Sequence, residues 1–235
     1  MDELLPQIGI NKYTLYLIIY LSILHKKCKE LHIPIYKYPF VPLAIKKGFN
    51  IGDFYSGLGH YFLDTFDIKI IKQVHKNFRR HHDNPLSMEK YKLIQSLTEV
   101  MPISSSLLYF CNFDEPLLQL THIISTIVLS LTQINHRYAH RRTHENDIDK
   151  NGNKVFYIPK IIKILQDNNI MLNNHHHKKH HQSEIENYCI SNGSTSHILD
   201  TLIYYLDLPI STYKSSNNKH KIYKNKKHYN KLHNI

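Results

Sequence analysis

Residues 13–24 form an apolar run of about a dozen positions, shorter than an ordinary membrane span and suited to an interfacial or buried helix. His25, Lys26 and Lys27 follow at once, the basic flank that the positive-inside tendency places on the cytosolic side. Residues 116–134 make a better span candidate of about 19 positions, with Gln119, His122 and Gln133 as its strongly polar members. Asp53, His60 and Asp64 fall within about 20° of one line on a helix of 3.6 residues per turn, with Ser56 and Gly57 near it. Phe54, Tyr55, Leu58, Tyr61 and Phe62 cover the other sides, so this polar stripe is expected to face a packed interior. Pro159 opens a short amphipathic stretch in which Ile161, Ile162, Ile164 and Leu165 oppose Lys160 and Lys163, a pattern that suits the headgroup region of a bilayer.

Composition narrows the picture. The 235 residues suffice for one domain with a sizeable core, here residues 1–210, followed by a basic, disordered tail over 211–235 that carries Lys219, Lys221, Lys224, Lys226, Lys227 and Lys231. A formal net charge of +11 and a pI near 9.4 point to an anionic partner, nucleic acid or a phospholipid surface, without choosing between them. Cys28, Cys111 and Cys189 lie far apart with no paired spacing, which supports neither a disulfide framework nor a thiolate metal site. The mean hydropathy of −0.40 is low for a polytopic protein.

Histidine supplies the candidate chemistry. His81-His82, His136 with His140, and His176-His177 with His180-His181 form three clusters, and His136/His140, His176/His180 and His177/His181 are each four apart, so each pair aims two imidazoles the same way from a helix. The last cluster covers roughly 140° of a helix face. With His60 added, the imidazoles exceed what one tetrahedral zinc uses, and two metals is the simpler reading. His122 stands 14 residues before His136, about 21 Å along a helix, too far to share a metal; it is expected to be a hydrogen-bonded interior residue. His75, His144, His175 and His197 have no fixed partner and are set aside as ligands.

The order of these motifs resembles the Kua, or plasmanylethanolamine desaturase, family of lipid desaturases. Asp53-Phe54-Tyr55-Ser56-Gly57-Leu58-Gly59-His60 with Asp64-Thr65 is similar to that family's D-x-x-S-G-L-x-H…D-T segment. Phe78-Arg79-Arg80-His81-His82-Asp83-Asn84-Pro85 resembles its F-R-x-H-H-x-D-P element with the aspartate displaced by one position, and His136-Arg137-Tyr138-Ala139-His140 its H-K-W-S-H. Leu165-Gln166-Asp167, then the cluster from His176 to His181, then Tyr188-Cys189-Ile190 resemble its L-Q-D…H-H-x-x-H-H…Y-x-C-I. Four motifs in this order over about residues 50 to 200 make a specific signal.

The resemblance implies an all-α, multi-pass helical membrane protein with a His-rich di-metal site at the cytosolic surface of an endoplasmic-reticulum-type membrane. It implies two ferrous ions and O₂ acting on a phospholipid chain, either an alkyl ether chain converted to the vinyl ether of a plasmalogen or an acyl chain of another phospholipid. The implied ligand candidates are His60, His81, His82, His136, His140, His176, His177, His180 and His181, with Asp53 and Asp64 orienting imidazoles or one of them binding metal directly. An external electron carrier such as cytochrome b5 is the implied partner, because no flavin or nicotinamide fingerprint is present, and no nucleic acid is expected.

Departures from the family pattern bear on activity. Asn168-Asn169 replace a Trp-His, a further histidine near Tyr91 is replaced, residues 98–102 replace a polar stretch, and Ser194-Thr195-Ser196 replace a Trp-x-Asn. They are read as a change of substrate or weaker metal binding, with an inactive or repurposed relative as the alternative. Two other classes match parts of the chain: a zinc hydrolase, which needs three ligands and a water, and a basic nucleic-acid-binding protein, for which no recognition motif accompanies the lysines.

Overall fold

The computed structural model describes residues 11–66, 78–82, 84–148, 151–183, 185–214 and 219–223, the side chains of 85, 86, 90 and 211–223 excepted. Helix α1 (Lys12–Glu30) starts at Asn11, whose side chain accepts from the Thr14 amide and so satisfies one of the amides left open at a helix start. After a tight 3₁₀ turn (Ile35–Phe40) comes α2 (Val41–Thr65), the longest helix among the described residues, which carries the polar stripe. The short α3 (Leu93–Thr98) and α4 (Met101–Phe110) follow. Pro116 begins α5 (Pro116–Ser130), capped by the Glu115 carboxylate accepting from the Leu118 amide. Then come α6 (Thr132–Thr143), α7 (Lys160–Asp167), α8 (Asn174–Ser183) and α9 (Ser196–Tyr205). Pro159 caps α7 from just outside rather than occupying its first turn.

Close contacts divide the chain into two compact units, where the sequence reading treats residues 1–210 as one domain. The first comprises the described parts of Met1–Asp53 and Tyr91–Ile134; its core is Tyr20, Met101, Leu108 and Ile123, with Leu17, Leu24 and Leu97 packed against it. The second comprises the described parts of Phe54–Lys90 and Asn135–Ile235. Tyr61, Ile185, Tyr188, Cys189, Leu199, Ile203 and Ile210 form its core, and Ala139, Leu172 and Ile190 a smaller cluster. Gly57 lets α2 approach the 189 segment closely: a Cβ there would lie 2.4 Å from the Cys189 sulfur and 2.7 Å from Leu199.

Two differences from expectation stand out. The described residues are mainly helical, but β1 (Ile210–Lys214) and β2 (Lys219–Tyr223) pair antiparallel from Ile210 opposite Tyr223 to Lys214 opposite Lys219. The disordered tail expected from residue 211 therefore begins with a hairpin. Ile210, Thr212, Tyr213, Ile222 and Tyr223 are β-favouring residue types that a count of lysines overlooks. Residues 215–218 and 224–235 lie outside the described residues. Among the described residues no single helix is long and apolar enough to cross a membrane; α5 and α6 together meet that test but are bent by 46° at the break between them. The multi-pass expectation thus reduces here to one bent candidate.

Candidate metal centre

Helical spacing assembles the site from four segments, all within the second unit. His60 and Asp64 stand one turn apart on α2, and both are buried, as is Ser56 a turn earlier. The adjacent pair His81 and His82 sits on a helical turn over residues 78–82; neighbours on a helix point about 100° apart, so one serves each of two groups. His136 and His140 come from one face of α6. On α8, His177 and His181 face one group, and His180, three residues after His177, faces the other.

The first group is His81, His136, His140, His177 and His181; the second is His60, Asp64, His82 and His180. Within each, one potential ligand atom per residue lies within 4.8 Å of all the others. That span suits a shared ion, since imidazole nitrogens bind divalent transition metals at about 2.1 Å and opposed donors would then stand about 4.2 Å apart. In the first group the Nε2 atoms of His136, His140 and His177 form a triangle with sides of 2.9, 3.0 and 3.1 Å, and His181 Nε2 lies 3.0 Å from that of His177. Neutral imidazoles carry one proton each, so such a triangle leaves lone pairs facing one another.

Proton positions in the second group sharpen the point. His60 Nδ1 donates to the Tyr188 carbonyl at 3.0 Å and His180 Nδ1 to the Glu186 carbonyl at 2.7 Å, which leaves both Nε2 atoms unprotonated in the neutral rings. Those two nitrogens lie 3.2 and 3.3 Å from the same Asp64 oxygen, Oδ2, while His82 Nε2 lies 3.0 Å from Oδ1. Two bare lone pairs against a carboxylate oxygen repel unless a cation or added protons intervene. Burial opposes the protons, lowering His60 to about 4 despite the attraction of Asp64. His81 donates Nδ1 to the Phe78 carbonyl, and burial together with the surrounding histidines drives it well below its ordinary value. A cation fits where protons do not.

Outside the two groups, Glu89 accepts a forked pair of hydrogen bonds from each of Arg137 and Arg141, the shortest at 2.7 Å. Burial raises the Glu89 carboxyl, but the bonds from Arg141 and Arg137 outweigh it and hold the group below its ordinary value. These arginines, four apart, fix the face of α6 next to the one bearing His136 and His140. The Ser56 hydroxyl accepts from the Ile190 amide at 3.0 Å and the Ser196 hydroxyl from the Cys189 amide at 3.2 Å, tying down the segment whose carbonyls orient His60 and His180.

Eight of the nine histidines expected as ligands fall into the two groups. His176 belongs to neither: its Nε2 lies 3.0 Å from the Ser196 hydroxyl and its ring sits over Gly193, where φ is +81° and a Cβ would come within 2.7 Å of the ring. The helical period gives the reason, since the four histidines of α8 cannot all face inward. Asp64 stands among the ligand atoms of the second group, whereas Asp53, fully buried three turns earlier, belongs to neither group. His122 bonds the Leu107 carbonyl at 3.1 Å and His144 the Asp147 carboxylate at 2.8 Å; His175 and His197 are exposed, and His75 and Asp83 lie outside the described residues. Sequence reasoning missed Glu89, Ser196 and the carbonyls of Glu186 and Tyr188. The four-residue spacing of Arg137 and Arg141 was a usable signal for the first; backbone acceptors leave none.

Two groups of histidines on helices, each able to hold a metal ion, define the class of site, and comparison with known proteins identifies the family. Residues 49–215 match the family model described as the lipid desaturase domain, so the chain belongs to that family. It is also similar to plasmanylethanolamine desaturase 1 of Mus musculus, 27% identical over 177 residues, which cover 71% of this chain and 63% of the mouse protein. The chain thus spans less than two thirds of that relative's length. No solved structure matches it.

Proposed function

We propose that the protein is a membrane-associated di-iron lipid desaturase that uses O₂ to introduce a double bond into a phospholipid chain. The observation that carries this reading is the pairing of two buried ligand groups on one face of α8, of which the second holds a carboxylate between unprotonated imidazoles. Bound iron would supply the oxidising power for an unactivated C–H bond, which side-chain acids, bases and nucleophiles lack. His81, His136, His140, His177 and His181 would hold one ion; His60, Asp64, His82 and His180 would hold the other. Phe78 and Tyr188 pack edge-on against His60 at ring separations of 5.0 and 6.1 Å and keep water from its imidazole. Nδ1 contacts to backbone carbonyls fix which nitrogen of His60, His81 and His180 is free to bind.

In the reaction, the lipid gives up two hydrogens, and O₂ leaves as two waters after taking two further electrons and two protons. Those electrons come from an external carrier such as cytochrome b5. The substrate favoured by similarity to the mouse desaturase is the alkyl ether chain of an ethanolamine phospholipid, with the vinyl ether as product. An acyl chain of another phospholipid is the second reading, since Asn168-Asn169, where the family has Trp-His, are read as a change of substrate or weaker metal binding. Exposed Ile35, Tyr36, Tyr38, Phe40, Tyr109 and Phe110 in the first unit support contact with a lipid surface; an endoplasmic-reticulum-type membrane, with the metal groups on its cytosolic side, is the location proposed from the family resemblance.

The test is expression in plasmalogen-deficient cells followed by lipid mass spectrometry. Vinyl ethers with the wild-type chain and none with His140→Ala are expected. New acyl double bonds would support the second reading, and an unchanged lipid profile from a metal-loaded chain with adequate electron supply would contradict both.

A further inference from the structure

We infer that Asp200 is a positioning residue for the group formed by His60, Asp64, His82 and His180, acting through the Asn187 peptide; the inference rests on the reading that this group holds an ion. The segment 186–190 meets the group through backbone. Glu186 and Tyr188, on either side of Asn187, supply the carbonyls that accept from His180 Nδ1 at 2.7 Å and His60 Nδ1 at 3.0 Å. Between these two carbonyls Asn187 has φ +61°, a left-handed conformation that asparagine tolerates better than most side chains and that must be held for the peptide before it to keep its direction. What anchors it is Asp200, one turn into α9, which accepts from the Asn187 amide at 3.0 Å on one carboxylate oxygen and 3.2 Å on the other.

The consequence concerns protons as much as position. While the two carbonyls stay in place, His60 and His180 carry their protons on Nδ1 and present bare Nε2 atoms toward Asp64. The Asn187 amide and the Glu186 carbonyl belong to one peptide, so if that peptide relaxes the His180 ring is free to carry its proton on Nε2, where it bonds to Asp64 and blocks the ligand position. The five-histidine group does not share this dependence, because His81 is fixed by the Phe78 carbonyl and the remaining four histidines come from α6 and α8. The effect of losing Asp200 is therefore selective for one of two ions. Burial pushes the Asp200 carboxyl up to about 7, so neutral asparagine is a close substitute that keeps one acceptor for the amide.

The test titrates Co²⁺ into metal-free full-length chain in detergent, with a competing chelator and the visible absorption of the bound ion as readout. Wild type is expected to bind two ions per chain. In Asp200→Ala one ion should bind about 10–100-fold more weakly, the range found when an outer hydrogen-bonding partner of a metal ligand is lost, while the other keeps its affinity. Asp200→Asn should recover most of the loss. Asp200→Glu, which keeps the charge but displaces it by a methylene, provides a second variant with the same selective weakening expected if the alanine variant does not fold. Equal weakening of both ions, or two ions held as tightly as in wild type, overturns the inference and leaves the two-ion reading standing. A wild type that binds no Co²⁺ overturns both.

Discussion

His60 and Asp64 stand one turn apart on α2 with Nε2 3.2 Å from Oδ2, and the nitrogen carries no proton in the neutral ring because Nδ1 donates to the Tyr188 carbonyl. This contact is unfavourable without a cation. Asp64→Asn keeps the shape and removes the charge that would neutralise an ion. Metal analysis of the purified variant should show one of two ions weakened by at least about tenfold, the usual scale for disturbed metal sites, and two ions held at wild-type affinity would count against the assignment.

His177 and His176 are neighbours with opposite expected consequences. His177 Nε2 lies 2.9–3.0 Å from three other imidazole nitrogens, whereas His176 belongs to neither ligand group and has its Nε2 3.0 Å from the Ser196 hydroxyl. His177→Ala should abolish binding at the five-histidine group. His176→Ala should keep both ions and lower the unfolding free energy by about 1 kcal/mol, the typical worth of one hydrogen bond. Loss of metal in the second variant, measured by elemental analysis, would return His176 to the ligand set.

Glu89→Ala removes the carboxylate that the guanidinium groups of Arg137 and Arg141 share. Breaking a largely buried ion pair by removing one partner costs on the order of 3 kcal/mol, and denaturant unfolding of the metal-free chain should show a loss of that size. A change under about 0.5 kcal/mol would mean that the forked contacts add little to stability.

Acidification should destabilise the metal-free chain over a defined window. The folded His60 pKa is lowered to about 4 from 6.5, so the unfolded chain takes up this proton first as pH falls. The contribution of this group is fully present above pH 6.5 and is lost progressively toward pH 4. Thermal unfolding at pH 7.5 and pH 5 should differ in that direction, by less in a His60→Gln variant. Equal pH dependence in the two chains would show that His60 does not govern it.

Gly57→Ala tests the close approach of α2 to Cys189. The added methyl would overlap the Cys189 sulfur and Leu199, and overpacking of this kind costs about 1–3 kcal/mol. A variant as stable as wild type in denaturant would show that the segment yields freely.

The histidine site was legible in the sequence because helical spacing is: His60 with Asp64, His136 with His140 and His177 with His181 follow from the period of four, and their shared facing is what the structure has. The period also explains the one histidine that departs. His176 completes a four-residue pair with His180, but a helix turned so that His177, His180 and His181 face inward carries His176 round to Ser196. The division into two groups was not legible, since it depends on which of two adjacent imidazoles on residues 78–82 points where. Nor were the orienting contacts, because a backbone carbonyl such as that of Tyr188 leaves no trace in residue type. The hairpin from Ile210 was hidden by the lysines around it. The membrane reading stays with composition: the apolar run at 116–134 breaks at Leu131 between α5 and α6.

The most direct measurement is the iron content of full-length chain purified in mild detergent from iron-replete cells, with protein quantified by amino-acid analysis. Two irons per chain, falling to one in the Asp64→Asn variant, is the expected result. One ion or none in the wild type, or zinc in place of iron, would contradict a paired iron site built from these eight histidines and Asp64.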